Sequence, residues 1–95
     1  MNPLLAIIAP MPEGTWTQVN QNAFSDVWTP STLRLSGTFY GDNIGALIRA
    51  WSSFAWDSNR DDLILYGGGH ANYAGNDVYR WRSSTLRWER ASLSS

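Results

Sequence analysis

The residues best suited to chemistry in this 95-residue chain stand together in "GGGHAN", where Gly67, Gly68 and a third glycine lead into His70, the only histidine. An imidazole works as a general base or nucleophile activator only beside partners that orient it and receive its proton. No G-x-S-x-G elbow, no H-E-x-x-H and no second histidine supplies such partners. His70 therefore reads as a loop residue bonding backbone near the glycines. A phosphate loop is also disfavoured, because Asn72 stands where the last glycine of G-x-G-x-x-G belongs and the text beyond it reads as loop and strand instead of helix. The role left to Gly67 and Gly68 is structural: close backbone approach or positive φ at the end of a strand.

A second candidate is "DSNRDD", which begins like a calcium loop with Asp57, Asn59 and Asp61 alternating. The sixth position is Asp62 where a glycine is needed, and the twelfth is Gly68 where a bidentate glutamate belongs, so a solvated hairpin turn is the better reading. The chain has no cysteine, which removes disulfides, thiol nucleophiles and thiolate metal sites. No cofactor and no enzymatic activity are expected. Net charge is -1, with seven arginines and no lysine, so neither a nucleic-acid backbone nor an anionic membrane is an expected partner.

The elements that would position these residues follow from periodicity. The opening "MNPLLAIIAP" has an apolar run at residues 4–9, too short to span a bilayer and without the basic flank of a secretory signal. It reads as an arm, within residues 1–15, packed on a neighbouring surface, with prolines limiting its regular structure. "TWTQV" alternates as a short strand should, and residues 16–52 form a connection whose polar stretch from Asn20 to Asp42 holds at most one or two brief strands, near Leu33 and Phe39. In "NIGALIRAWSSFAWD", which runs from its end into the next segment, Ile44, Leu47, Ile48, Trp51 and Phe54 share a helical face while residues 53–57 alternate like a strand, and periodicity leaves both open.

From residue 53 to 91 the pattern is plainer. "LILY" at residues 63–66 is a short run suited to a strand buried on both faces and stopped by glycines, and "DVYRWR" and "LRWERA" alternate around "SST". The reading is an all-β, four-stranded antiparallel meander. Six residues between Trp81 and Trp88 let a hairpin close symmetrically, which places Trp81 opposite Trp88, Arg82 opposite Arg87, Arg80 opposite Glu89 and Tyr79 opposite Arg90. One face then carries Tyr79, Trp81, Trp88 and Arg90 and is built to be covered. The other juxtaposes Arg82 and Arg87, which repel unless an acid or anion sits between them.

Four hydrophobic residues, a glycine pair, an aromatic and, after six intervening residues, a tryptophan form a pattern that resembles one kelch blade of a galactose-oxidase-like β-propeller. The match runs through "LILY", Gly67, Gly68, Trp81 and Trp88, with Trp81 in place of the usual tyrosine, and "GGGHANYAGNDVYRW" is similar to kelch-like proteins of unassigned function in proteobacteria and their phages. The resemblance implies a strand near residues 53–56 and an N-terminal strand, "TWTQV", at the blade's outer edge. It implies that the loop bearing His70, Asn72, Tyr73 and Asn76 lies on the partner-binding face. It carries no oxidase chemistry, since that copper site needs a cysteine-linked tyrosine and several histidines.

A kelch repeat occupies about 50 residues and propellers carry four to eight blades. One blade is thus incomplete alone, a single partial propeller unit across residues 1–95 with unpaired edges and apolar faces. The function this implies is structural or protein-binding, acting through copies of itself or a larger protein, a phage virion among them, with virion or cytoplasm as the location. The alternative is a piece of a carbohydrate-binding or carbohydrate-active propeller with a glycan as ligand.

Overall fold

A computed structural model describes residues 2–33, 54–66 and 77–93. The described residues form an N-terminal helix, α1 (Pro3–Ile8), and a four-stranded sheet of β1 (Phe54–Asp57), β2 (Asp62–Tyr66), β3 (Val78–Arg82) and β4 (Arg87–Ser92). Strand order follows chain order and every neighbour is antiparallel, so the sheet is an open meander not closed into a barrel.

The expected register of the last hairpin holds at all four pairs, including Trp81 with Trp88. It ends at a bulge: Val78 pairs with Ser92, so the bulge takes up Ala91. Both described hairpins use the same device. Each has a four-residue loop whose last residue takes left-handed backbone, Asp61 at φ 55 and Leu86 at φ 59. Aspartate tolerates this conformation, whereas a leucine adopts it at a cost of about 1–2 kcal/mol. Leu86 offsets that cost by burying its side chain to 8% exposure and donating its N–H to Arg82 O at 2.7 Å.

Alternation gives the sheet two unlike faces. Phe54, Trp56, Leu63, Leu65, Tyr79, Trp81, Trp88 and Arg90 share one, and Ala55, Asp57, Asp62, Ile64, Tyr66, Val78, Arg80, Arg82, Arg87 and Glu89 the other. The core lies on the aromatic face, where Phe24, Leu65 and Tyr79 are buried and Val27, Trp28 and Trp88 pack against them. Phe24 comes from a 3₁₀ turn, Phe24–Asp26, whose start is fixed by the Ala23 N–H donating to the Asp26 carboxylate at 3.0 Å. The β2 expectation of burial on both faces is corrected: Leu65 is sealed, but Ile64 on the opposite face is half-buried and Tyr66 is exposed.

Residues 2–33 differ from expectation in three ways. The arm forms a helix, because Pro3 sits at a first-turn position, where its missing N–H costs nothing, and the Asn2 side chain caps the Leu4 N–H at 2.8 Å. The same Asn2 donates to the Ser83 hydroxyl at 2.9 Å, tying the arm to the β3–β4 loop. Leu33 lies in a 3₁₀ turn, Ser31–Leu33, instead of a strand. "TWTQV" forms no strand; the chain reaches the sheet a few residues later, at Gln21 and Asn22. The expectations for Phe39 and for the helical face at residues 44–51 lie outside the described residues.

At β4, Asn22 behaves as a one-residue strand. Its side-chain oxygen accepts from the Trp88 N–H at 2.7 Å and its amide donates to the Trp88 carbonyl at 3.1 Å, while the Gln21 N–H donates to the Leu86 carbonyl at 2.6 Å. The Trp88 backbone therefore faces away from β3, which puts Trp81 and Trp88 at a non-hydrogen-bonded pair, the site where facing side chains stand closest. Asn22→Ala removes both side-chain bonds and is expected to cost about 1–2 kcal/mol. Urea unfolding checks this, with the Trp88 amide exchanging faster in the variant; an unchanged exchange rate would contradict the clamp.

Candidate binding cleft and buried polar cluster

The described residues cover the aromatic face over only part of its extent. Beyond Phe24, an open cleft of about 610 Å³ lies between the arm, the chain entering the 3₁₀ turn, and the sheet. Leu4 supplies the arm's wall, Val19, Asn20 and Ala23 line the entering chain, and Trp56, Leu63, Trp81 and Trp88 form the floor. Asn20 is the one side chain among these with hydrogen-bonding amide groups, and it is occupied by the Asn22 carbonyl at 2.9 Å. The Trp81 indole N–H is buried with no hydrogen-bond partner among the described residues. A smaller cavity of about 330 Å³ continues from the shared Leu4 and Trp56 toward Leu5, Ile8 and Asp61. Such walls favour apolar side chains or rings over charged or heavily hydroxylated ligands.

Deeper, a polar cluster joins the connection to β3. The Tyr79 hydroxyl donates to the Asp77 carboxylate, the Thr29 hydroxyl donates to the same carboxylate at 2.9 Å, and the Thr29 N–H donates to the Tyr79 oxygen at 2.9 Å. All three residues are fully buried. Burial, together with the bond to the Asp77 carboxylate, pushes the Tyr79 hydroxyl up to about 12. A cluster sealed from solvent cannot meet a substrate, so its work is to lock residues 27–29 over the sheet.

The opposite face carries an ionic lattice. One cross-strand row reads Asp57, Asp62, Arg82, Arg87, and the next places Arg80 beside Glu89. Glu89 accepts from Arg80 Nε at 3.0 Å and lies 3.9 Å from Arg82, whose Nε is 3.9 Å from the buried Asp62 carboxylate. Asp62 and Glu89 thus place negative charge beside Arg82, one of the two facing arginines. Asp57 holds the first hairpin turn, accepting from the Asn59 N–H and from Arg60 at 3.0 Å each, and the Arg60 hydrogen bond keeps its carboxyl below the usual range.

Of the residues singled out from the sequence, Trp81 and Trp88 meet on the cleft floor. Gly67, Gly68, His70, Asn72, Tyr73 and Asn76 lie outside the described residues. Sequence reasoning missed Phe24, Asn22, Thr29 and Asp77. The apolar i, i+3, i+4 spacing of Phe24, Val27 and Trp28 was the available signal for a helical turn with one buried side. Asn22 and Thr29 left no comparable trace, because their partners are 48–66 residues away in sequence.

Comparison with known proteins returned no matching family model, no matching curated protein and no matching solved structure. Among the described residues, no group of three or more histidine, cysteine or acidic side chains is placed to hold a metal ion, and no helix is long and apolar enough to cross a membrane.

Proposed function

We propose that this chain is a non-enzymatic structural or protein-binding element that works through assembly, with copies of itself or with a larger protein such as a virion, as one blade of a kelch-like propeller. The observation that carries this reading is the half-covered aromatic face: the apolar cleft is continuous with Trp56 and Phe54, which are 50% and 36% exposed. Contiguous apolar surface of this kind is stabilised by being covered. The open four-stranded meander, with one aromatic and one ionic face, supports the blade reading. The carbohydrate alternative draws less support, since sugar hydroxyls need polar partners that the cleft walls scarcely offer.

Light scattering on the full chain at micromolar concentration is expected to give a mass above 10.7 kDa. Trp56→Glu, which puts a charge on the floor shared by both cavities, is expected to lower that mass toward one chain. A compact monomer at hundreds of micromolar, unchanged by the substitution, would sink the self-assembly form of the proposal.

A further inference from the structure

We propose that the cleft receives Trp16 from a second copy of this chain, the two copies exchanging indoles reciprocally. This rests on the self-assembly part of the reading above and names the partner, with closure at two chains in place of a ring of blades. Trp16 is 98% exposed, the most solvent-exposed of the large apolar side chains in the described residues. It stands on residues 15–20, which belong to no helix or strand, and the stretch is held at its ends by the Thr15 hydroxyl on the Pro12 carbonyl and the Asn20 amide on the Asn22 carbonyl. Three residues on, Val19 lines the chain's own cleft, yet the indole stands in water. The described residues therefore present both an unburied ring and a ring-lined recess that they do not fill.

Size and geometry suit the exchange. A recess of about 610 Å³ falls within the span of built binding pockets, about 300–1,000 Å³. An indole entering it meets the faces and edges of Trp56, Trp81 and Trp88, contacts that aromatic rings favour beyond their area alone. Each indole removes roughly 200 Å² of its own surface from water and covers a similar area of its host. Two such insertions bury roughly 800 Å², and the flanking Leu5 and Ile8, 52% and 41% exposed, bring the contact to about 1,000 Å², the lower bound for a specific interface. Net charge of -1 leaves little repulsion between copies. Reciprocal insertion closes after two chains, whereas one-way insertion leaves a free ring and a free recess at every step and grows without limit.

The test is sedimentation equilibrium of the full chain from 1 to 100 µM, alone and as Trp16→Ala and Trp16→Phe. The expected result is a dimer for the natural chain and for Trp16→Phe, and a dissociation constant raised about 100-fold or more for Trp16→Ala. Because Trp16 is solvated within its own chain, the Trp16→Ala monomer should keep the circular dichroism spectrum of the natural one. A natural chain of single-chain mass at 100 µM overturns both this proposal and self-assembly. A Trp16→Ala protein that keeps the natural dimer overturns this proposal alone, placing assembly on another surface. A mass that climbs past two chains with concentration overturns the reciprocal arrangement.

Discussion

Replacing Tyr79 by phenylalanine is expected to lower the unfolding free energy by about 2–4 kcal/mol, although only one oxygen is removed. That oxygen donates to the Asp77 carboxylate and accepts the Thr29 N–H, all without solvent. Its loss leaves a buried amide without that acceptor and a buried carboxylate with one donor fewer, and water cannot enter to replace it. The same phenol sets an alkaline limit. Its folded pKa near 12 lies above the ordinary value of 10, so the stability it contributes is complete below pH 10 and falls as pH rises toward 12. The loss across this window is up to about 2–3 kcal/mol. With no lysine or cysteine in the chain, tyrosine phenols are the side chains whose ordinary pKa falls there. Urea midpoints at pH 8, 10 and 12 should fall steeply for the natural chain and less for Tyr79→Phe; parallel curves would show that Tyr79 is not the titrating group.

Phe24→Ala is expected to cost more, about 3–5 kcal/mol. Phe24 packs edge-on to Tyr79 with ring centres 4.6 Å apart and to Trp88 at 5.2 Å, at 6% exposure. Removing it opens the core to the adjoining cleft, so the space left is continuous with solvent and uncovers Tyr79 as well. A domain of this size has about 5–10 kcal/mol to lose. The variant should therefore lose its near-ultraviolet aromatic signal well below the natural melting temperature, while Phe24→Leu, which keeps an apolar side chain, should retain most of it. Equal melting temperatures for Phe24→Ala and the natural chain would show that the 3₁₀ turn does not cover the core.

The sheet was legible because its information is local. Alternation marked the strands, and the six residues between Trp81 and Trp88 fixed the hairpin register down to the Arg80–Glu89 pair. What covers the sheet was not legible, since Asn22, Phe24 and Thr29 act on partners far along the chain and their text reads as an ordinary polar connection. "TWTQV" shows the limit from the other side: its alternation suits a strand, but a strand exists only where an edge receives it, and Asn22 takes that place at Trp88. The cleft emerged only from the meeting of three segments, the arm, residues 19–24 and the sheet, that carry no shared sequence signal.

The side-chain clamp of Asn22 on β4 also makes the sheet's two borders unequal. A bare border strand is a template, and a sheet with two such borders can recruit chain after chain into a fibre. Here the Trp88 position of β4 already has both its backbone groups engaged, by a side chain that offers no further row of donors and acceptors. Strand addition at that position is terminated before it begins, and the meander has a polarity: a stopped end at β4 and a different end at β1. For Asn22→Ala this predicts a change of fate as well as of stability, with slow fibril growth on prolonged incubation, read by thioflavin fluorescence, under conditions where the natural chain forms none.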